Sequence, residues 1–240
     1  MNAVWKYETA EDLDQPLIER LRHFPREPDI LVYGLRSFLG LFLRSWFRLY
    51  HRLRIVGREH LPQDDSFVIV ANHSSHLDAL CLLAALPLRK LHRAFPAAAA
   101  DYFFESIPRI WLAAVVVNAL PFAREVHVRQ SLALCDQLLQ NRGNILILFP
   151  EGTRSTTGQI SRFKPGIGLL LAGRDVPVIP CHLEGAFRAW PKGAWVPRPA
   201  QISLRIGAPK TFAQLPPGKE SACLIAAELQ AAVEHLRRPL

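Results

Sequence analysis

The 240-residue chain lacks any run of eighteen uncharged apolar residues, so a spanning helix is not expected. The nearest approach, residues 30–50, is interrupted by Arg36, Arg44 and Arg48. The opening MNAVWKYETAEDLDQ carries early acids and no apolar h-region, which is unlike a secretory leader. There is no CxxC pair. The four cysteines (Cys81, Cys135, Cys181 and Cys223) lie far apart in apolar surroundings. They read as reduced, packed thiols of a cytosolic protein, neither a disulfide framework nor a zinc site. No G-x-S-x-G elbow is present, which removes the usual setting for a nucleophilic serine. No internal repeat is visible.

What the chain has in excess is positive charge, and it is unevenly spread. The formal net charge is +8, and residues 31–60 hold six arginines against the single acid Glu59. A basic segment of this kind suggests nucleic acid or a lipid surface as partner. At 100° per residue, Arg36, Arg44, Arg48 and Arg52 fall in one arc. Leu35, Phe38, Leu39, Phe42, Leu43, Trp46, Leu49 and Tyr50 fill the other side, while Leu41 and Phe47 fall within or beside the arginine arc. Arginines backed by leucines and aromatics fit an interfacial membrane helix, and disfavour nucleic acid. An ordinary amphipathic helix covering the core is the alternative.

Downstream, apolar runs alternate with helical patterns. FVIVA (67–71), ALPF (119–122), NILILFP (144–150), VPVIPCHL (176–183) and ISLRIG (202–207) read as strands, and HRAFPAA (92–98) as strand then loop. Helices are expected at 75–86, 102–116, 128–141, 166–174 and 219–238. Continuous apolar strands separated by helices predict an α/β fold, with a mostly parallel central sheet flanked by helices and an N-terminal amphipathic helical attachment. The expected division is a helical, membrane-associating segment at 1–53 and an α/β domain at 54–240.

Two polar clusters follow apolar strands, where such folds bind ligands. The first is ANHSSHLDAL (71–80). Ser75 and Asp78 have the spacing of a capping box at a helix start. His73 sits in the turn before them, within reach of an aspartate in the first helical turn, which can orient the ring as a base. His73, His76 and Asp78 could instead be metal ligands, but His76 heads into the helix and no further His or Cys pair follows, so no metal is expected. The second cluster is FPEGTRS (149–155). Its Glu151-Gly152-Thr153 turn can expose backbone N–H groups, and Arg154 carries a planar fork suited to phosphate. Lys164 and a glycine-opened helix start follow in FKPGIG (163–168).

Taken together, these blocks resemble the PlsC-like glycerolipid acyltransferases, the family of 1-acylglycerol-3-phosphate acyltransferases. Asn72-His73-Ser74-Ser75-His76-Leu77-Asp78 matches its NHxSxxD block, and Phe149 to Ser155 matches its FPEGTRS block about eighty residues on. Val176-Pro177-Val178-Ile179-Pro180 resembles a later strand ending in proline. The similarity runs over roughly residues 50–210. A further block is less faithful: Arg124 is in place, but Asn118 stands where the family has glycine, and Ala123 precedes the arginine.

The resemblance implies an O-acyltransferase with His73 as base, oriented by Asp78. It implies Arg124 and Arg154 on the acceptor phosphate, with Glu151 and Gly152 shaping the acceptor pocket. The implied donor is acyl-CoA or acyl carrier protein, and the implied acceptor a lysophospholipid at the cytoplasmic face of a membrane, with the protein peripheral or monotopic. No cofactor is implied. Because the block around Arg124 helps form the acceptor site, two alternatives stay open: transacylation or acylation of another lysolipid such as a lyso-aminolipid, and a catalytically silent lipid-binding module.

Overall fold

The computed structural model describes residues 30–99, 118, 120–122 and 128–237. Its centre is a seven-stranded sheet: β1 (Arg54–Val56), β2 (Phe67–Ala71), β3 (Ala94–Ala99), β4 (Leu120–Phe122), β5 (Ile145–Leu148), β6 (Val178–Glu184) and β7 (Ser203–Ile206), in the spatial order β1-β7-β6-β2-β5-β3-β4. Every neighbouring pair is parallel except β6 and β7. The helices are α1 (Ile30–Leu49), α2 (Asp78–Ala85), α3 (Val128–Gln140), α4 (Gly166–Leu171), α5 (Ala186–Ala189) and α6 (Lys219–His235). The expected helix at 102–116 lies outside the described residues.

The central strands show why their sequences are apolar without alternation. β2 lies between β5 and β6, with Ile69 opposite both Ile147 and Ile179. Side chains alternate across the pleat. Phe67, Ile69 and Ala71 join Ile145, Ile147, Ile179 and Cys181 in one core under α2. Val68 and Val70 join Leu146, Leu148 and Val178 in a second core under α3, α4 and α6. A strand covered on both faces needs an apolar residue at every position.

β1 was not expected. Three residues are too few to show a period, and Arg54 and Val56 are exposed on this edge strand, which finds its place by pairing with Ser203–Arg205. The cysteine expectation is corrected at one position. Cys81, Cys135 and Cys181 are buried, but Cys223 is exposed on the outer side of α6.

Helix α1 ends at Leu49, four residues earlier than expected, and packs against α2 and the 3₁₀ segment Leu88–Arg93. Arg36 is not on a solvated face. It is buried beside the helical positions of Leu43 and Phe47, and burial lowers its guanidinium to about 10, with Tyr33 opposing the shift. Arg44 also turns inward and donates from Nη2 to the Leu86 carbonyl. The apolar side faces outward instead, with Phe38 67% and Phe42 61% exposed alongside Leu35, Leu41 and Leu49.

On the opposite face, α4 and α6 approach so closely that a β-carbon at Gly168 would lie 2.2 Å from the Ala222 carbonyl oxygen and 2.5 Å from its Cα. Backbone cannot give way as a side-chain tip can. Gly168→Ala is therefore expected to destabilise the fold by about 1–3 kcal/mol, the usual range for overpacking. Denaturant unfolding measures this, and an unchanged midpoint would show that the two helices can separate freely.

Candidate active site

The site begins where β2 ends. Asn72, buried at the strand's exit, donates from Nδ2 to the Leu183 carbonyl at 3.0 Å and accepts the Leu183 N–H on Oδ1 at 2.8 Å. This two-way bridge continues the β2–β6 pairing through a side chain and anchors the turn that follows.

His73 is held by both its backbone and its ring. Its N–H donates to Glu151 Oε1 at 2.6 Å, and its carbonyl accepts the Ser155 N–H at 2.8 Å. The ring stacks on Phe149 at 4.1 Å between centroids and 19° between planes. Its Nδ1 lies 2.9 Å from Asp78 Oδ2. Because a carboxylate only accepts, Nδ1 carries a proton, and in the neutral ring the lone pair is then on Nε2.

Asp78 is fully buried, and its Oδ2 accepts two further bonds, from the Ser74 N–H at 2.6 Å and the Ser75 N–H at 2.7 Å. As the first residue of α2 it also lies at the positive end of the helix dipole. The expected capping box is only half formed. Asp78 reaches back to the Ser75 N–H, but the Ser75 hydroxyl donates to the Trp190 carbonyl at 2.7 Å and accepts the Leu77 N–H at 3.1 Å. The helix therefore starts three residues later than the pattern suggests.

That late start changes the place of His76. Expected to head into the helix, it remains in the turn, packs its ring against Trp190 at 5.0 Å and accepts a hydrogen bond on Nε2 from Arg154 Nη1. Burial first, then the charges of Arg154 and His73, lower its pKa to about 4, so it is a neutral acceptor at neutral pH. Sequence reading gave His76 no role beside Arg154. Its spacing points nowhere until the helix start is known.

The second cluster meets the first through Glu151. Its carboxylate is buried, with Oε1 on the His73 N–H and Oε2 on the Ser161 N–H at 2.7 Å. Burial raises its pKa, while the bonds from Ser161 and His73 oppose the rise. Gly152 has φ 75°, and a β-carbon there would lie 2.8 Å from Lys164 Nζ. Glycine serves both the left-handed turn and the close passage of Lys164. The Lys164 N–H also bonds the Pro150 carbonyl at 2.9 Å. His73, Asp78, Glu151, Gly152, Arg154 and Lys164 thus share one rim, with Thr153 exposed between Gly152 and Arg154.

Arg124 lies outside the described residues. Asn118, which replaces the family's glycine, is buried with φ 53° and donates from Nδ2 to the carbonyls of His92 and Ala94. Asparagine is among the few residues other than glycine that adopt this left-handed conformation readily. Among the described residues no group of three His, Cys, Asp or Glu side chains is placed to hold a metal ion.

A fold and rim of this kind place the chain in a known class. Residues 52–184 match the acyltransferase family model, and the chain belongs to that family. It is 33% identical over 176 residues to the chloroplastic 1-acyl-sn-glycerol-3-phosphate acyltransferase LPAT1 of Arabidopsis thaliana, an alignment covering 70% of this chain and 47% of that one. It is 31% identical over 194 residues to a 1-acyl-sn-glycerol-3-phosphate acyltransferase of Chlamydomonas reinhardtii, covering 78% and 54%. The chain spans about half the length of these curated relatives. The crystal structure of the 1-acyl-sn-glycerophosphate acyltransferase PlsC from Thermotoga maritima has the same fold, with a TM-score of 0.67 at 24% identity over 93% of this chain and 88% of that one.

The depressed pKa of His76 has a measurable consequence. The unfolded chain takes up a proton near the ordinary value of 6.5, whereas the folded chain resists until about 4. Stability is therefore full above the unfolded value and lost as pH falls through this window. His76→Gln keeps an acceptor for Arg154 but cannot titrate, so its loss of stability on acidification should be shallower. His182, also lowered to about 4 by burial, contributes to the remaining slope together with His51 and His92, which burial lowers as well. Unfolding free energies across a pH series test this, and identical slopes for the two proteins would refute it.

Proposed function

We propose that the protein transfers an acyl group from the thioester of acyl-CoA or acyl carrier protein to the free hydroxyl of a lysophospholipid, with 1-acylglycerol-3-phosphate as acceptor and phosphatidic acid as product. The observation that carries this reading is the His73–Asp78 pair, with Nε2 unprotonated, on the same rim as Arg154. A hydroxyl is a weak nucleophile near neutral pH, and a thioester is already activated, so the reaction needs a base more than a nucleophilic residue. His73 Nε2 takes the hydroxyl proton as the oxygen attacks the thioester carbonyl. The tetrahedral intermediate expels the thiolate, which receives the proton from His73. Asp78 stabilises the imidazolium formed between these steps.

Arg154 binds the acceptor phosphate through its fork, oriented by His76, and Arg124 assists it as the family resemblance implies. Lys164 adds cationic character to the acceptor side and Thr153 a backbone N–H, the Gly152 N–H being held by the Phe149 carbonyl. Glu151 contributes by fixing the loop that carries them. The lysophosphatidate reading draws its support from relatives named for that acceptor.

The decisive experiment incubates the purified protein with a panel of lysolipids and each of the two donors, with products identified by mass. Transfer to a lyso-aminolipid but not to lysophosphatidate would replace the acceptor in this reading. His73→Ala should abolish transfer, a loss of at least about 10²–10⁴-fold for a general base, with the circular dichroism spectrum unchanged. A folded His73→Ala protein with near-normal turnover would end the mechanism.

Residues 1–53 act in this reading as a membrane-associating segment, and the protein works as a peripheral or monotopic enzyme at the cytoplasmic face. The outward apolar side of α1 supports it, and no helix among the described residues is long and apolar enough to cross a membrane. Phe38→Ser with Phe42→Ser should release the protein from anionic vesicles while sparing turnover on detergent-dispersed substrate. Trp46 is a poorer choice for this test, because it is half-buried against the core. Vesicle co-sedimentation reads the result, and undiminished binding would return α1 to the role of a core cover.

A further inference from the structure

At the opposite end of the sheet from His73 lies a cavity of about 290 Å³, just under the smallest usual small-ligand sites. Its wall carries Arg44 of α1, Arg58 and Lys90, over an apolar floor that includes Leu61, Phe67 and Leu86. Phe67 opens β2 and Ala71 closes it, so the strand alone puts roughly 13 Å between the cavity and the His73 turn. They are separate sites.

Three cations converge here, and among the described residues no carboxylate lines the cavity, with Asp64 and Asp65 acting on Lys90 from outside it. Lys90 is only 8% exposed, with Nζ donating to the Pro62 carbonyl at 2.6 Å and lying 5.5 Å from the Phe67 ring centroid. Arg44 donates from Nη2 to Leu86, but its Nε is buried without a hydrogen-bond partner. Arg58 is in no ion pair among the described residues, and Asp65 is paired with Arg142 at 3.6 Å. One carbonyl each leaves most donors of a guanidinium and an ammonium unused. Arg44 and Arg58 also repel each other, which together with burial lowers the pKa of Arg44. A buried Lys90 beside a half-buried Arg44, with the exposed Arg58 at the mouth, is costly unless an anion joins them.

We propose that this cavity binds a phosphate group. Two guanidinium forks and an ammonium match a multiply charged, multi-oxygen anion, and the apolar floor accommodates the organic part of a phosphate ester. The phosphate has two possible carriers. Leu41, one turn from Arg44, is exposed on the outward side of α1, so a phospholipid headgroup could enter with its chains over that helix. A soluble phosphate ester would need only the cavity. The proposal does not depend on the acyl-transfer reading.

Thermal unfolding of the full chain in inorganic phosphate, against chloride at matched ionic strength, tests the site. Phosphate should raise the midpoint, as any ligand selective for the folded state does. Arg58→Gln should weaken the apparent affinity about tenfold, the effect of losing one charge-assisted bond. Arg58 is exposed, so this variant should fold, and Lys90→Met provides a second. Arg154→Gln removes any phosphate bound at the His73 rim and should leave the Arg58-dependent part of the shift intact. The carrier is read from co-sedimentation with mixed phosphatidylcholine–phosphatidylglycerol vesicles. A loss for Arg58→Gln well beyond that for Arg48→Gln, an exposed arginine of α1 outside the cavity, indicates a lipid headgroup, and equal small losses indicate a soluble ester. No phosphate-specific shift in the parent chain, an undiminished shift in Arg58→Gln, or a shift abolished by Arg154→Gln would each overturn the proposal.

Discussion

A carboxylate with no exposed surface survives inside a protein only if donors replace the water it has lost. Asp78 meets that condition through Oδ2 alone, which collects the His73 ring N–H and the backbone N–H groups of Ser74 and Ser75, while its buried Oδ1 has no hydrogen-bond partner among the described residues. The arrangement folds residues 73–75 around the carboxylate, displaces the start of α2 to Asp78 and leaves His76 outside the helix. It also makes Nε2 the unprotonated nitrogen of His73. Backbone geometry, tautomer and the availability of the proposed base all follow from satisfying one buried charge.

That charge stands where it does because of β2. With Val68 and Val70 committed to one core and Phe67, Ile69 and Ala71 to the other, the strand cannot slip by one residue without exchanging its two faces. Asn72 then extends the register past the last ladder bond by gripping Leu183. The turn bearing His73 inherits its position from a strand buried along its whole length, whereas its partners across the rim come from the loop after β5. Glu151 joins the two through its paired oxygens.

What could be read from the chain divides along the same lines. β2 and β5 announce themselves because burial on both faces demands unbroken apolar runs, and the His73–Asp78 approach follows from where a first-turn aspartate points. β1 was invisible because its place depends on pairing with β7, 149 positions later at the Arg54–Ser203 contact, and no local period marks it. The antiparallel sense of β7 was unreadable for a similar reason. Arg36 misled because a helical wheel sorts residues by type, whereas burial depends on which side the neighbouring elements occupy. Here the side of Leu43 and Phe47 packs on α2 and the 88–93 segment, carrying Arg36 inward and leaving Phe38 and Phe42 outside. His76 went unassigned because half of an apparent capping box formed with different partners.

The hold on His73 has one more consequence. Its amide hydrogen and carbonyl oxygen are both claimed by the 151–155 loop, the same loop that carries Arg154. Neither group can drift without dragging the other. The gap between the imidazole and the guanidinium is therefore a gauge cut into the protein, indifferent to small breathing of the rim. In the proposed reaction an acceptor spanning it is measured by length as well as by charge: one whose hydroxyl and anionic group are spaced differently would find one end seated and the other hanging free.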